Sequence, residues 1–159
     1  MPQLAFNSPI GPLALFEADG AIVAVDWGFL PENDETPLLL KARDQLEEYF
    51  EGKRTSFDLP LAPHGTAFQQ KVWAALSRIP FGQTKSYGEL AGELGTAARA
   101  LGGACGRNPI PVIIPCHRVL GANGAMGGYS GIDGIETKEF LLRHEGVALP
   151  RSPSPKGGG

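Results

Sequence analysis

Cysteine is scarce. The 159 residues hold two, Cys105 and Cys116, and no Cys-x-x-Cys pair. That argues against a disulfide framework and against a cysteine-built zinc site. Long apolar runs are missing too, since none approaches the roughly 20 residues a membrane-spanning helix needs. The N-terminus lacks a basic stretch followed by an apolar core, so no secretion signal is expected. Charge is modest, at 19% against 42% hydrophobic residues, with a net value of −3. This is the balance of an ordinary soluble globular protein. The length suffices for one domain or two small ones. A working free thiol needs a reducing compartment, so a cytoplasmic location is expected, with no membrane partner.

The small net charge hides an asymmetry. Residues 1–60 carry four Lys/Arg against eleven Asp/Glu, a net −7; residues 61–159 carry ten against six, a net +4. A basic second part fits a face that meets a polyanion, and it equally fits ordinary surface variation.

Residues 10–27 read as a hairpin, with Leu13 and Leu15 alternating, Asp19-Gly20 as the turn and Ile22 to Val25 returning. Thr36-Pro37 is a helix start; Leu39, Ala42, Leu46 and Phe50 form its stripe, and Gly52 ends it. Thr55 to Leu59 reads as a further strand. Nothing in this block forms a chemical constellation. Two prolines and a glycine between Pro60 and Gly65 mark a boundary. The expected division is a sheet-and-helix domain over 1–62, a second domain over 63–150, and a disordered tail over 151–159.

The second block is helical. Phe68, Val72, Ala75 and Ile79 predict a helix over 66–79 capped by Thr66, with Trp73 in the core. Ser86 and Glu89 make a capping box, and Leu90, Ala91 and Leu94 follow it up to Gly95. Thr96 then caps a helix running to about Gly106. Two short helices around a glycine turn read as a helix-turn-helix. In the second of them Ala98, Leu101 and Cys105 can face inward. Its remaining residues are small, apart from Arg99. Each glycine costs a helix about 1 kcal/mol relative to alanine. Smallness must therefore serve a close approach, either of a sugar–phosphate backbone or of the protein's own interior.

After Asn108-Pro109 comes the apolar run Pro111-Val112-Ile113-Ile114, which reads as a buried strand closed by Pro115. Cys116, His117, Arg118 and Val119 follow directly. A thiol beside an imidazole and a guanidinium is a candidate nucleophile, although most lone buried cysteines are inert packing. In extended backbone neighbouring side chains point to opposite faces, so direct contact between Cys116 and His117 is not expected. Cys105 is expected in the core and unpaired, and His64 exposed in the boundary loop. His144 fits either a packed or an exposed position.

The wording of this stretch, Pro115-Cys116-His117-Arg118-Val119 above all, resembles the active-site signature of the O6-alkylguanine-DNA alkyltransferases. The resemblance runs from about Gly65 to about Gly146. It implies a ribonuclease-H-like first domain and a winged-helix-like second one, together an α/β (α+β) fold. It implies that an alkyl group passes irreversibly from O6 of guanine in duplex DNA, less readily from O4 of thymine, to Cys116. It further implies a Cys116–water–His117–Glu145 relay and a role for Asn108 in tying its turn to the nucleophile segment. Tyr87 would turn the nucleotide and donate to the leaving guanine. Tyr129, Ser130 and Val119 would contact the base. The helix 97–106 would enter the minor groove, with Arg99 filling the gap left by the extruded nucleotide and Ala98 and Gly102 close to the backbone. Arg107 suits a phosphate by charge.

Displacement at a saturated carbon needs a thiolate and a stabilised leaving group, so no cofactor and no metal are expected. Family members that bind zinc do so in the first domain, which here has no cysteine. A monomer is expected. Residues 131–136 make the segment after Tyr129 about two residues longer than the family pattern. Two other readings remain beside this one. A Cys-His-Glu hydrolase would turn over, and a binding-only module would recognise alkylated bases without reacting.

Overall fold

The computed structural model describes residues 1–121 and 134–149. Three antiparallel strands open it in the order β1 (Gln3–Phe6), β2 (Leu13–Ala18), β3 (Ala21–Trp27). The β2–β3 hairpin forms as expected, with Leu15 opposite Val25. Asp19 and Gly20 both have positive φ, 51° and 77°, the backbone of a two-residue hairpin turn whose twist matches its strands. β1 had no signal of its own in the sequence, being four residues long.

Helix α1 (Pro37–Phe50) covers the sheet, and the Thr36 side chain accepts from the Leu39 amide as its cap. Its buried stripe is Leu39, Ala42, Leu46 and Tyr49. Tyr49, rather than Phe50, takes the fourth position, and a hydroxyl thereby enters the core. The expected strand over Thr55–Leu59 does not form. The buried Gln45 side chain takes the place of a strand partner there, donating to the Asp58 carbonyl and accepting from its amide at 3.2 and 2.9 Å. Sheet-like pairing is confined to one parallel bridge, Ile22 with Leu61.

Helix α2 (Ala67–Ser77) starts at a Thr66–Gln69 capping box. A β-carbon on Gly65 would fall 2.4 Å from the Trp73 ring, so only glycine lets the chain turn in over that indole. Trp73 Nε1 donates to the Ala104 carbonyl at 2.9 Å and ties α2 to α4. Phe68 departs from the expected stripe and is 37% exposed. Strand β4 (Lys85–Ser86) leads into α3 (Tyr87–Leu94), where the Ser86–Glu89 box is formed and Gly95 ends the helix in the left-handed region. Helix α4 (Ala98–Gly106) is one residue later than expected: its cap is Ala97, with no side-chain hydrogen bond, and Thr96 does not cap it. Its inward face is Leu101, Ala104 and Cys105, while Ala98 is exposed.

Pro111 to Ile114 is a turn and not a strand. Proline has no N–H for a ladder, and Val112 takes φ 72°. That backbone costs a β-branched residue roughly 1–3 kcal/mol. Asn108 stabilises the turn by accepting from the Ile110 amide and donating to the Ile114 carbonyl, at 2.9 and 2.8 Å. A 3-10 turn (Cys116–Arg118) and β5 (Val119–Leu120) follow, and β5 pairs in parallel with β4. This pairing sets the start of α3 beside the 3-10 turn. Helix α5 (Ile135–His144) closes the described chain. One hydrophobic cluster joins sheet, α1 and the helical part, from Leu4 to Leu141.

Candidate active site

Each partner of the site is delivered by a chain reversal. The prolines and Asn108 deliver Cys116. Glu145 is delivered by the end of α5, where Gly146 takes φ 84°. There the Val147 amide reaches the Leu142 carbonyl at 2.9 Å, and the Gly146 amide reaches that of Arg143 at 2.9 Å. This glycine-terminated stop fixes the direction of the capping residue's side chain, that of Glu145. Glu145 therefore points inward and is 4% exposed, beside His117 at 0% and Arg118 at 6%.

The Glu145 carboxylate takes four hydrogen bonds. His117 Nε2 lies 2.8 Å from Oε2, Arg118 Nε donates to Oε1 at 2.8 Å, Arg118 Nη2 donates to Oε2 at 2.9 Å, and the Tyr49 hydroxyl donates to Oε2 at 2.6 Å. Arg118 Nη1 also donates to the Ile79 carbonyl at 2.6 Å. A carboxylate has about four lone-pair sites, so this one is saturated. Burial raises its proton affinity, but the donors from His117, Arg118 and Tyr49 outweigh that and hold it well below the usual carboxylate range. With Nε2–H given to the carboxylate, neutral His117 carries its lone pair on Nδ1. Burial lowers its proton affinity and the Glu145 contact opposes this. The net effect keeps the imidazole neutral, and so able to accept a proton, at pH 7.

Burial pushes the Cys116 thiol up to about 11, against the pull of Asn108 and Lys138. On the order of one molecule in ten thousand is then a thiolate at neutral pH, fewer than the few per cent of a free cysteine. A base is required. Cys116 and His117 are neighbours in a 3-10 turn, not an extended strand, so their side chains diverge by roughly 120°. Tyr87 is half-buried. Its phenol is pushed up to about 12 by burial and then by the two nearby cysteines, so it stays a donor. Both cysteines are free.

Two polar members were missed in the sequence, Tyr49 and Lys138, while Arg118, read there only as a neighbour of the thiol, is found bound to Glu145. Lys138 is wholly buried, donates to the Val119 carbonyl at 2.7 Å and sits 5.6 Å from the Tyr87 ring centroid. Its signal was present, because positions 138, 141, 142 and 145 share one helical face. Replacing Lys138 with methionine leaves the Val119 carbonyl unpaired and is expected to cost about 1–3 kcal/mol, read by urea unfolding. Val119 itself is wholly buried. Arg99 and Arg107 are exposed, and Gly102 is partly so. A β-carbon on Gly103 or Gly106 would meet nothing within 4 Å, so internal packing does not explain those two glycines. His64 is exposed, and His144 is half-buried with Nε2 2.6 Å from the Tyr49 carbonyl. Tyr129, Ser130, residues 131–133 of the lengthened segment and the tail lie outside the described residues. Among the described residues no three His, Cys, Asp or Glu side chains converge on a metal position, and no helix is long and apolar enough to cross a membrane.

Two family models match the chain. The 6-O-methylguanine DNA methyltransferase DNA-binding domain covers residues 67–147, and the ribonuclease-like domain of the same proteins covers 4–63. The chain belongs to the 6-O-methylguanine DNA methyltransferase family. A methylated-DNA–protein-cysteine methyltransferase of Methanosarcina acetivorans is 46% identical over 89% of this chain and 96% of that protein. The constitutive one of Bacillus subtilis is 44% identical over 89% and 93%. Among solved structures, Mycobacterium tuberculosis OGT in complex with DNA superposes with a TM-score of 0.83 at 43% identity, covering 91% of this chain and 92% of that one. The expected α/β fold and family are thereby confirmed.

Proposed function

We propose that this methyltransferase repairs duplex DNA by moving a methyl or small alkyl group from O6 of guanine, less readily from O4 of thymine, onto Cys116. The observation that carries this is the buried Cys116-His117 pair backed by Glu145, in a family whose named relatives methylate a protein cysteine. The C–O6 bond breaks as the S–C bond forms. The thiol proton passes through a bridging water to His117 Nδ1, and Glu145 steadies the imidazolium that results. The departing guanine receives a hydrogen bond from Tyr87. Residues 63–150 do this chemistry and residues 1–62 support them.

The lesion reaches the thiol by leaving the base stack. Helix α4 suits that step: Ala98, Gly103 and Gly106 give it a small-residue exposed surface, and Arg99 fills the vacated place. Arg107 contacts a phosphate, and Tyr129 and Ser130 line the pocket. The protein acts as a monomer in a reducing, DNA-containing compartment such as the cytoplasm, with no metal or cofactor.

A thioether is a poor leaving group, so each molecule acts once. Mixed with excess O6-methylguanine duplex, the protein is expected to stop at one equivalent. Its Cys116 peptide is expected to gain about 14 Da, one methyl replacing one proton. Continued release of product would instead mark a hydrolase.

A further inference from the structure

Tyr49 belongs to α1, 96 positions before Glu145, yet its hydroxyl reaches that carboxylate in the core. The residue is held on every side. Phe50, Phe57, Phe81 and His144 surround its ring at centroid distances of 5.1, 5.5, 6.2 and 4.9 Å. His144 Nε2 donates to its carbonyl at 2.6 Å. The ring has no freedom to swing away, so the hydroxyl has one target. A buried tyrosine needs an acceptor. Here that acceptor is the oxygen that also holds the imidazole, Glu145 Oε2.

Each donor on Oε2 draws negative charge away from the side facing His117. Less charge there means a weaker hold on an imidazolium. We propose that Tyr49 is a positioning residue of the alkyl-transfer relay, its hydroxyl orienting Glu145 and setting how strongly that carboxylate holds the proton on His117. This rests on the reading that His117 receives the Cys116 proton. It gives the sheet-and-helix part a chemical role beyond support, because α1 supplies a hydrogen bond to the site.

The groups facing His117 and Glu145 are Tyr49 from α1, Arg118 from the 3-10 turn, and Lys138 from α5; His144 faces Tyr49 from behind. Burial, and then the Glu145 charge, raise the Tyr49 hydroxyl far above its ordinary value, so it remains a donor throughout the working pH range.

Tyr49→Phe keeps the ring and removes the donor. The single-turnover rate with O6-methylguanine duplex would be followed from about pH 5 to about pH 9, bracketing an ordinary imidazole. With one donor gone, Glu145 holds the imidazolium more firmly and His117 keeps its proton to higher pH. The acid limb is expected to move up by about half to one unit, equivalent to a rate about three- to tenfold lower on the acid side. Difluorotyrosine placed at position 49 keeps the shape, donates more strongly and is expected to move the limb down. It decides the matter if the phenylalanine variant fails to fold. A limb unmoved by either change, or a rate lowered evenly at all pH, overturns the assignment. His117→Gln separates the two layers. If it keeps the wild-type limb, the relay reading falls and Tyr49's role with it. If it loses the limb while the Tyr49 variants leave it in place, only Tyr49's role falls.

Discussion

Cys116→Ser is expected to abolish methyl transfer while leaving affinity for duplex DNA unchanged. The reason lies in how hard the nucleophile already is to ionise. Burial holds the thiol at about 11, so the proposed relay has to remove a reluctant proton. An alkoxide is far costlier still, and His117 has no reserve with which to form one. The loss is expected to exceed about a thousandfold in single-turnover rate, the scale set by losing a nucleophile whose base stays in place. DNA affinity is a separate property, because the proposed contacts lie on α4, and Cys116 is only 5% exposed. Electrophoretic mobility shift with a methylated duplex reads affinity, and mass spectrometry reads transfer. A serine variant that still clears the lesion would remove Cys116 from the chemistry. One that lost affinity alone would favour a module that binds without reacting.

The legible part of this protein was its local chemistry. Asp19-Gly20, Thr36-Pro37, Thr66 and the Ser86–Glu89 box act within a few residues, so their turns and caps were readable one window at a time. What escaped was decided at a distance. Gln45 satisfies the backbone at Asp58 by a side chain, a substitute for strand pairing that no alternation pattern reveals. Val112 looks like a strand residue, and only its prolines and the two hydrogen bonds of Asn108 bend it into a turn. Within the site, Cys116, His117 and Glu145 were read through a resemblance. Tyr49 and Lys138 are polar groups in apolar stripes, and such a stripe reports that a position faces inward without naming its partner. The Tyr49–Glu145 contact joins α1 to the end of α5, and no short motif spans that distance.

Replacing Arg118 is expected to produce a large loss of stability. Its guanidinium is almost fully buried and gives two hydrogen bonds to Glu145 and one to Ile79. Arg118→Met leaves a buried carboxylate without its fixed countercharge. Breaking such a pair from one side costs about 3–5 kcal/mol, because the remaining charge is desolvated and uncompensated. In a chain of this size that corresponds to a melting temperature lower by about 10 °C or more. Adding Glu145→Gln removes the stranded charge, so the double variant is expected to be more stable than the sum of the single losses allows. The effect carries a pH signature. Glu145 holds its proton less tightly folded than unfolded, so its stabilisation is complete above the ordinary carboxylate value of about 4.3 and is lost as pH falls below it. Arg118 supplies part of that depression. The gap between wild type and Arg118→Met is therefore widest near neutrality and narrows as Glu145 takes up its proton in acid. Urea unfolding at about pH 7 and about pH 3 compares the full stabilisation with one already partly lost, since the folded carboxyl is held down at about 2. A gap of the same size at both pH values would mean that Arg118 acts by packing and by its bond to Ile79, and not through the carboxylate.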